Sequence, residues 1–451
     1  MQAITLQWII LVGFGLIFLL LAPLARTPEA FFSATAKGNR KPGFFLLTSS
    51  LVISWIFAKS ITNAANLGLS YGFVGGFSYA IYYLSFVVAG IIIYRMRVKG
   101  GFKSIHQFLE TRFGRGAVVL FSVLIAIRLF NEVWSNTMVI GSYFGESGSS
   151  GYYLSILVFT ALTLAYTLKG GLRSSLLTDA IQMIFFGVLL FVLLGFIFGS
   201  EGQSVGDYIS SGEWEWSSGL NLLFAALLQI FSYPFHDSVM TDRGFISDPK
   251  TTLRSFLAAG GIGMFCIIAF SFIGIFAQMK GMEGQAAVEV SKVLGVVGML
   301  AMNFIMITSA ASTLDSSFSS FSKLVVIDLG GDREASVSRG RLMMVGLTIV
   351  GTIPVFLGPE ILSATTISGT MVMGLAPVFL FWNTPSNQWS FHLPVAFGIG
   401  MGILVATKAY PEWLLFTEGK YADLLSSNLI GIVVCFVLFL VPLLFVRNGK
   451  R

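Results

Sequence analysis

The sequence predicts an all-α polytopic membrane protein of about thirteen transmembrane helices, and three observations carry that expectation. Of its 451 residues, 55% are apolar and only 11% charged, with a mean hydropathy of +0.82, whereas soluble domains carry about 25% charged residues. Apolar runs of about 20 residues, the length that crosses the hydrocarbon of a bilayer, recur from end to end. No segment shows the regular alternation of a barrel strand, and helices satisfy their own backbone polar groups inside hydrocarbon.

Taken in order, the first run, 6–25, follows an N-terminus without Lys or Arg. A cleaved leader would begin with basic residues, so a retained span is expected. Runs at 44–69, 73–95, 116–144, 151–168 and 176–199 come next, then 218–240, 253–278, 295–326, 341–358, 360–384, 391–408 and 425–446. Segment 103–113 reads as a short amphipathic helix on the membrane surface. The loops alternate in charge. Loops 26–43, 95–115, 169–175, 241–254 and 327–341 and the C-terminal tail hold 21 of the 28 Lys and Arg, Arg243 among them, while loop 200–217 has four acids and no base. The positive-inside rule then places the N-terminus outside the cell membrane and the C-terminus in the cytoplasm. No basic domain stands outside the apolar runs, which excludes nucleic acid as a partner, and no obligate protein partner is expected. Cys266 and Cys435 lie within apolar runs, where no disulfide or metal site is expected. The three histidines, His106, His236 and His392, are scattered and no nucleophile–base pair is visible, so the chain is not expected to be an enzyme.

Polar residues inside the runs mark where function is to be sought. Span 44–69 carries Ser54, Lys59, Ser60, Thr62, Asn63 and Asn66, and span 218–240 carries Gln229, Ser232, Tyr233, Pro234, His236 and Asp237. These are the second and seventh spans, so five-span units would start at each. Interrupted helices at matching positions of two halves point to a transporter's binding site. Lys59 and Arg128 lie deep within their spans, and intramembrane charges are functional candidates by default. Each either captures a carboxylate on a solute or forms an internal ion pair with Glu132, Asp237 or Asp315. Arg128 and Glu132 are one helical turn apart and suited to pair locally. In span 295–326, Ser309, Ser312, Thr313, Ser316, Ser319, Ser320 and Lys323 share one helix side, with Asp315 at its edge. Their hydroxyls either allow close helix packing or offer hard oxygen ligands to a sodium ion.

Three stretches resemble the sodium:solute symporter family. GGLRSSLLTDAIQ (Gly170–Gln182) is similar to the family's signature, SAASTLD with LVVIDL to its eighth core helix, and SYPFHDSVMTDRGFISD (Ser232–Asp248) to its sixth core helix and the loop after it. The resemblance implies a LeuT-like inverted-repeat fold and sodium-driven solute uptake. It places Ser312 and Thr313 as paired sodium hydroxyls and Ser309 as a carbonyl donor. Backbone at the first helix break, near Val52 and Trp55, completes that site. Asp179, with Asp315 and Ser316, would form a second cation site, for sodium or a proton; the alternative for Asp179 is a helix cap at the start of span 176–199. The coupling ion is Na+, and no other cofactor is implied.

The expected partners are a small organic solute, anionic or zwitterionic because of Lys59, and the lipid bilayer. Candidate solute liners are Lys59, Asn63, Asn131, Trp134, Gln229, Tyr233 and Phe235. The expected organisation is an extra helix and loop over 1–43, a ten-helix core over 44–384 (repeats 44–199 and 218–384), and two further helices over 385–451. The rival expectation is a proton-coupled or uncoupled carrier of the same fold, with Asp179, Asp315 or Lys59 cycling a proton.

Overall fold

The computed structural model describes residues 3–32, 41–199, 204–330 and 335–446. Lys37, Arg40, Glu201, Arg333, Arg447, Lys450 and Arg451, which entered the loop-charge pattern, lie outside the described residues. Among the described residues all regular structure is helical. The chain runs α1 (Ala3–Leu21), α2 (Pro28–Phe32), α3 (Phe44–Trp55), α4 (Ala58–Ala80), α5 (Ser85–Val98), α6 (Ile105–Phe113), α7 (Arg115–Ser142) and α8 (Ser150–Gly199). It continues through α9 (Val205–Ile209), α10 (Leu220–Gln229), α11 (Ser238–Arg243), α12 (Pro249–Met279), α13 (Ala286–Val293) and α14 (Gly295–Lys323). The last elements are α15 (Val337–Thr352), α16 (Ser363–Met371), α17 (Leu375–Leu380), α18 (Trp389–Ala406) and α19 (Ala422–Val446).

Nine helices among the described residues are long and apolar enough to cross a membrane by length and composition. The expected thirteen runs differ from these nine at identifiable places. The 41-residue stretch Ala58–Val98 and the 50-residue α8 are each divided by a glycine outside helical geometry, Gly72 (φ +62°) and Gly171 (φ +56°). A side chain at Gly171 would also press within 2.4 Å of the Phe31 carbonyl oxygen of α2, so only glycine suits that turn. Runs 218–240 and 360–384 appear as short helices interrupted by turns.

The second and seventh runs are both broken. Helix α3 ends at Trp55, Ile56 and Phe57 are unwound, and α4 starts at Ala58. The Ile56 amide donates to the Val52 carbonyl (2.9 Å), and the Phe57 carbonyl accepts from the Ser60 amide (2.9 Å). In the seventh run α10 gives way at Ile230 to a 3₁₀ turn over Tyr233–His236, and α11 begins after Asp237. Pro234 cannot donate a helical hydrogen bond, and the Asp237 carboxylate restarts the helix by accepting from the Met240 amide (3.2 Å). Unwound backbone at such depth is tolerated only where protein surrounds it, and Trp55, Ile56, Phe57, Tyr233 and Phe235 are all buried.

Helices α4 and α12 pack with their backbones in near contact. A Cβ on Gly274 of α12 would sit 1.7 Å from the Ala65 carbonyl oxygen of α4, closer than any atom pair allows. Small residues at such crossings are how membrane helices approach. Helix α6 lies over the end of α7, with Ile105, Phe108, Leu109 and Phe113 buried and its N-terminus capped by Ser104, which accepts from the Gln107 amide (3.0 Å). Gly274→Ala should therefore cost at least the roughly 1–3 kcal/mol of an overpacked core. The expected result is a lower melting temperature and less monodisperse protein in size-exclusion chromatography; a wild-type melting curve would refute the close crossing.

Candidate functional site

The two breaks face each other, and charged side chains fill the space between them. Lys59 stands in the first turn of α4, where its amide has no helical acceptor and donates instead to Asn136 Oδ1 of α7 (3.2 Å). Its Nζ donates to Glu132 Oε1 (2.8 Å), and Arg128 Nη1 lies 2.8 Å from the same oxygen as an ion pair. Arg128 Nη2 donates to Asp237 Oδ2 (3.1 Å) beside the second break. The same oxygen accepts from Trp55 Nε1 (2.9 Å) at the end of α3. Asn136 Nδ2 supports Glu132 Oε2 (2.9 Å). This quartet carries two positive and two negative charges, and none of the four residues is more than 3% exposed. Arg128 also lies over the Tyr233 ring (4.8 Å) and Lys59 over the Phe57 ring (4.9 Å). Arg128 Nε and Nη1 have no hydrogen-bond acceptor among the described residues, so Nη1 meets Glu132 as an ion pair only and the guanidinium retains unsatisfied donors.

Beside the quartet is a run of hydrogen-bonded aromatics. Tyr233 packs on Tyr82 (5.6 Å), Tyr82 on Tyr79 (5.6 Å), and the Tyr82 hydroxyl donates to Gln229 Oε1 (2.7 Å). Asn63 Nδ2 donates to the Tyr79 hydroxyl (3.3 Å). Gln229 Nε2 reaches Asn428 Oδ1 of α19 (3.2 Å) and Thr370 of α16 (3.3 Å). A cavity of about 780 Å³ opens above this layer and is lined by Thr62, Asn63, Asn66 and Thr366.

A second polar cluster lies between α3, α8, α11 and α14. Asp179 of α8 accepts from Ser312 Oγ at Oδ1 (2.5 Å) and from Ser50 Oγ at Oδ2 (2.5 Å). Ser54 adds contacts to Asp179 (3.1 Å), Ser316 (3.1 Å) and Ser312 (3.4 Å). The guanidinium of Arg243 enters from α11. Its Nη2 donates to Asp179 Oδ2 (3.0 Å) and Ser316 Oγ (2.9 Å), and its Nε donates to Ser50 Oγ (2.6 Å). Next to it, Asp315 accepts from four hydroxyls, Tyr166 (2.9 Å), Ser175 (2.8 Å), Thr178 (3.0 Å) and, at longer range, Ser316 (3.4 Å). Asp179, Asp315 and Arg243 are each 0% exposed. With both carboxylates ionised, two negative charges and one guanidinium leave the cluster one positive charge short.

The expected ion ligands divide on this map. Ser312, Ser316, Asp179 and Asp315 meet in the cluster. Thr313 Oγ1 turns back to the Ser309 carbonyl (2.8 Å) within α14, and Ser309 Oγ is buried without a partner among the described residues. The Val52 carbonyl holds the Ile56 amide, and the Trp55 carbonyl accepts from the Tyr83 hydroxyl (2.7 Å). The donor set is hard oxygen throughout and chemically suited to a sodium ion, and an unpartnered buried hydroxyl is available to it. Asp179 is not a helix cap. After the turn at Gly171 the helix runs on through Asp179, which stands about two turns into it.

The expected solute liners divide as well. Lys59 and Tyr233 belong to the quartet layer, and Asn63 and Gln229 to the aromatic run. Asn131 accepts from Trp134 Nε1 (3.1 Å), and Trp134 packs with Met138, Tyr152, Ile156 and Val355 on another face of α7. Phe235 stacks on Phe379 of α17 (4.0 Å). Trp134 and Phe235 pack away from the quartet, and their nearness in sequence to Glu132 and Tyr233 is not nearness in space. Arg243, grouped by sequence with the loop charges, is buried. Its one sequence signal was its place eleven residues into the Ser232–Asp248 stretch, and the matching signal on α3 was the one-turn spacing of Ser50 and Ser54.

At the opposite end from the 780 Å³ cavity lies another of about 890 Å³, lined by His106, Thr241, Asp242, Lys323 and Asp328. Lys323 Nζ binds Asp242 (2.6 Å) and Asp328 (3.2 Å), and Ser320 Oγ donates to Asp242 (2.9 Å). Burial holds the His106 imidazole below its ordinary pKa, against the pull of Asp328 3.8 Å away.

Comparison with known proteins agrees with this architecture. Residues 36–211 match the model of the sodium:solute symporter family. Sodium/glucose cotransporter 1 of Mus musculus is 29% identical over 178 residues, 36% of this chain and 26% of that protein. Sodium/myo-inositol cotransporter 2 of Mus musculus is 28% identical over 184 residues, 38% of this chain and 27% of that protein. The aligned part thus spans about a quarter of those relatives. The solved structure of a Na+-coupled sialic acid symporter in its substrate-bound outward-open state superposes with a TM-score of 0.72 at 15% identity, over 97% of this chain and 98% of that one. Mhp1, a nucleobase-cation-symport-1 family transporter, superposes at 0.60 with 13% identity, over 95% and 96%. The fold is therefore the LeuT-like one over nearly the whole length, and the chain is a multi-pass membrane protein whose residues 36–211 are similar to the sodium:solute symporter family.

Proposed function

We propose that this chain is a secondary active transporter that couples sodium entry to the uptake of a small organic solute by alternating access. One observation carries the reading: α3, α8 and α14 bring hydroxyls and two carboxylates to one buried cluster, beside the first helix break, that lacks one positive charge. Sodium is a substrate here, taken by the oxygens of Ser312 with Ser309, Thr313 and the backbone at Val52 and Trp55. Asp179, Asp315 and Ser316 form the second cation position. Sodium arriving from outside stabilises the broken second run and so biases the chain toward the state that binds solute, which is coupling by differential affinity. The membrane potential adds about 2.3 kcal/mol per charge per 100 mV.

The solute is anionic or zwitterionic in this reading and rests on the quartet layer. The charge balance of Lys59, Arg128, Glu132 and Asp237 favours the zwitterion, because a net anion would unbalance it. Arg128 Nε, which has no acceptor among the described residues, is a donor available to a carboxylate. The thirteen runs cross a cell membrane with the N-terminus outside, the core is 44–384 with halves 44–199 and 218–384, and segments 1–43 and 385–451 flank it. The 890 Å³ cavity then faces the cytoplasm. A second reading, proton coupling, is favoured by Asp315, whose partners among the described residues are neutral hydroxyls. Uptake that follows a pH gradient without sodium would select it.

The direct test is thermal stabilisation of the purified protein across a solute library, in sodium and in choline. Sodium-dependent stabilisation by at least one zwitterionic or anionic solute is expected, and none would remove the symport reading. Once a solute is known, Ser312→Ala should raise the half-saturating sodium concentration about tenfold or more, equivalent to about 1.4 kcal/mol; an unaltered sodium dependence of uptake would reject Ser312 as a ligand. Glu132→Gln leaves two buried cations with one anion and should destabilise by about 3–5 kcal/mol. Adding Lys59→Met to it should restore much of the melting temperature while solute stabilisation stays lost. Solute stabilisation that survives in the double variant would place the solute elsewhere.

A further inference from the structure

Arg243 occupies oxygens that the proposed function assigns to an ion. Its Nη2 takes Asp179 Oδ2 (3.0 Å), Ser316 Oγ (2.9 Å) and, at longer range, Ser54 Oγ (3.3 Å), while Nε takes Ser50 Oγ (2.6 Å). A guanidinium only donates, so it engages the lone pairs a metal cation would need. The hydroxyl protons follow the same orientation, with Ser50 and Ser312 giving theirs to Asp179. A sodium ion on these oxygens would stand a few ångströms from the guanidinium, in a region where water does not screen the repulsion.

The position is also not a fully satisfied one for the arginine. Nη1 is buried and has no hydrogen-bond partner among the described residues. Arg243 ends a six-residue helix, α11, preceded by the break at Asp237 and followed by Gly244. Its neighbours Thr241 and Asp242 line the 890 Å³ cavity. Asp179, by contrast, sits within the long α8. The cation is therefore carried on a short jointed element with space behind it, and the carboxylate on a fixed one.

We propose that Arg243 is a tethered counter-cation that competes with sodium for this cluster. Without sodium its guanidinium holds Asp179 and the serine oxygens; sodium binds by displacing it toward the 890 Å³ cavity. Arg243 thereby sets how much sodium is needed to load the transporter. The inference rests on the sodium reading above, and the experiment separates the two.

Sodium-dependent shifts in melting temperature are measured against choline for the full-length wild type, Arg243→Lys and Arg243→Gln. Arg243→Gln should lower the half-saturating sodium concentration about tenfold or more, about 1.4 kcal/mol, while Arg243→Lys, which keeps the charge, stays near wild type. An unchanged or higher value in Arg243→Gln overturns the proposal. So does an equal change in both variants, which would make Arg243 a positioning residue. A sodium response in Arg243→Gln with none in the wild type supports the tethered cation and rejects sodium coupling of the native chain. No response in any of the three overturns both. Hydrogen exchange on the wild type keeps the idea testable if Arg243→Gln does not fold: sodium should speed exchange over residues 238–247, and slower or unchanged exchange there overturns it.

Discussion

One carboxylate joins the two broken helices. Asp237 restarts α11 by accepting from the Met240 amide, holds Trp55 at the end of α3, and neutralises Arg128. A helix break inside hydrocarbon leaves backbone groups that lipid cannot satisfy. The cost is offset only if the two breaks are placed against each other and against a charged helix that supplies partners. Helix α7 is that helix. Arg128, Glu132 and Asn136 rise along one of its faces at one-turn spacing and bind Asp237, Lys59 and the Lys59 amide in turn. Lipid-facing residues such as Val119, Val123 and Ile127 remain on another face. The positions of Lys59 and Tyr233 among the candidate solute groups follow from this arrangement.

The two charged layers differ in a way that bears on function. The quartet is balanced, so its charges hold the breaks in register without demanding an ion. The hydroxyl cluster is not balanced when both its carboxylates are ionised, since Asp315 is met by hydroxyls and Asp179 takes the one guanidinium. Two unit charges 4 Å apart interact by about 4 kcal/mol at an effective dielectric constant of 20, while burying each ion costs several kcal/mol. Buried pairs of this kind therefore add little net stability relative to apolar residues of the same volume. In the proposed function their retention in the core follows from what they would exchange with, a solute in one layer and a cation in the other.

The fold was legible in the sequence because hydrocarbon permits few solutions. Apolar runs, alternating loop charge and the polar interiors of runs 44–69 and 218–240 were enough to expect a broken-helix transporter. The neighbourhood of each side chain was less legible, because it depends on rotation about a helix axis and on packing between helices distant in sequence. Glu132 and Trp134 are two residues apart on α7 yet face different surroundings, and Phe235 departs from Tyr233 in the same way across the 3₁₀ turn. Arg243 was assigned by its place at the end of a run, where arginines normally reach water. Only the break at Asp237, which shortens the helix and redirects its end, brings it inside. The cap alternative for Asp179 falls away because the turn that starts its helix is at Gly171, eight residues earlier.

Helix α11 is short enough to act as one piece, and it touches all three polar layers. Asp237 at its start belongs to the quartet, Arg243 at its end to the hydroxyl cluster, and Asp242 to the Lys323–Asp328 group at the cavity. A six-residue helix spans about 9 Å, so its two ends cannot move independently by much. If sodium displaces Arg243, the same displacement loads the Asp242–Lys323 contact and pulls on the Asp237 cap beneath the solute layer. Ion, solute and inner closure are then linked by the stiffness of one and a half helical turns, and no longer chain of contacts is needed to connect them.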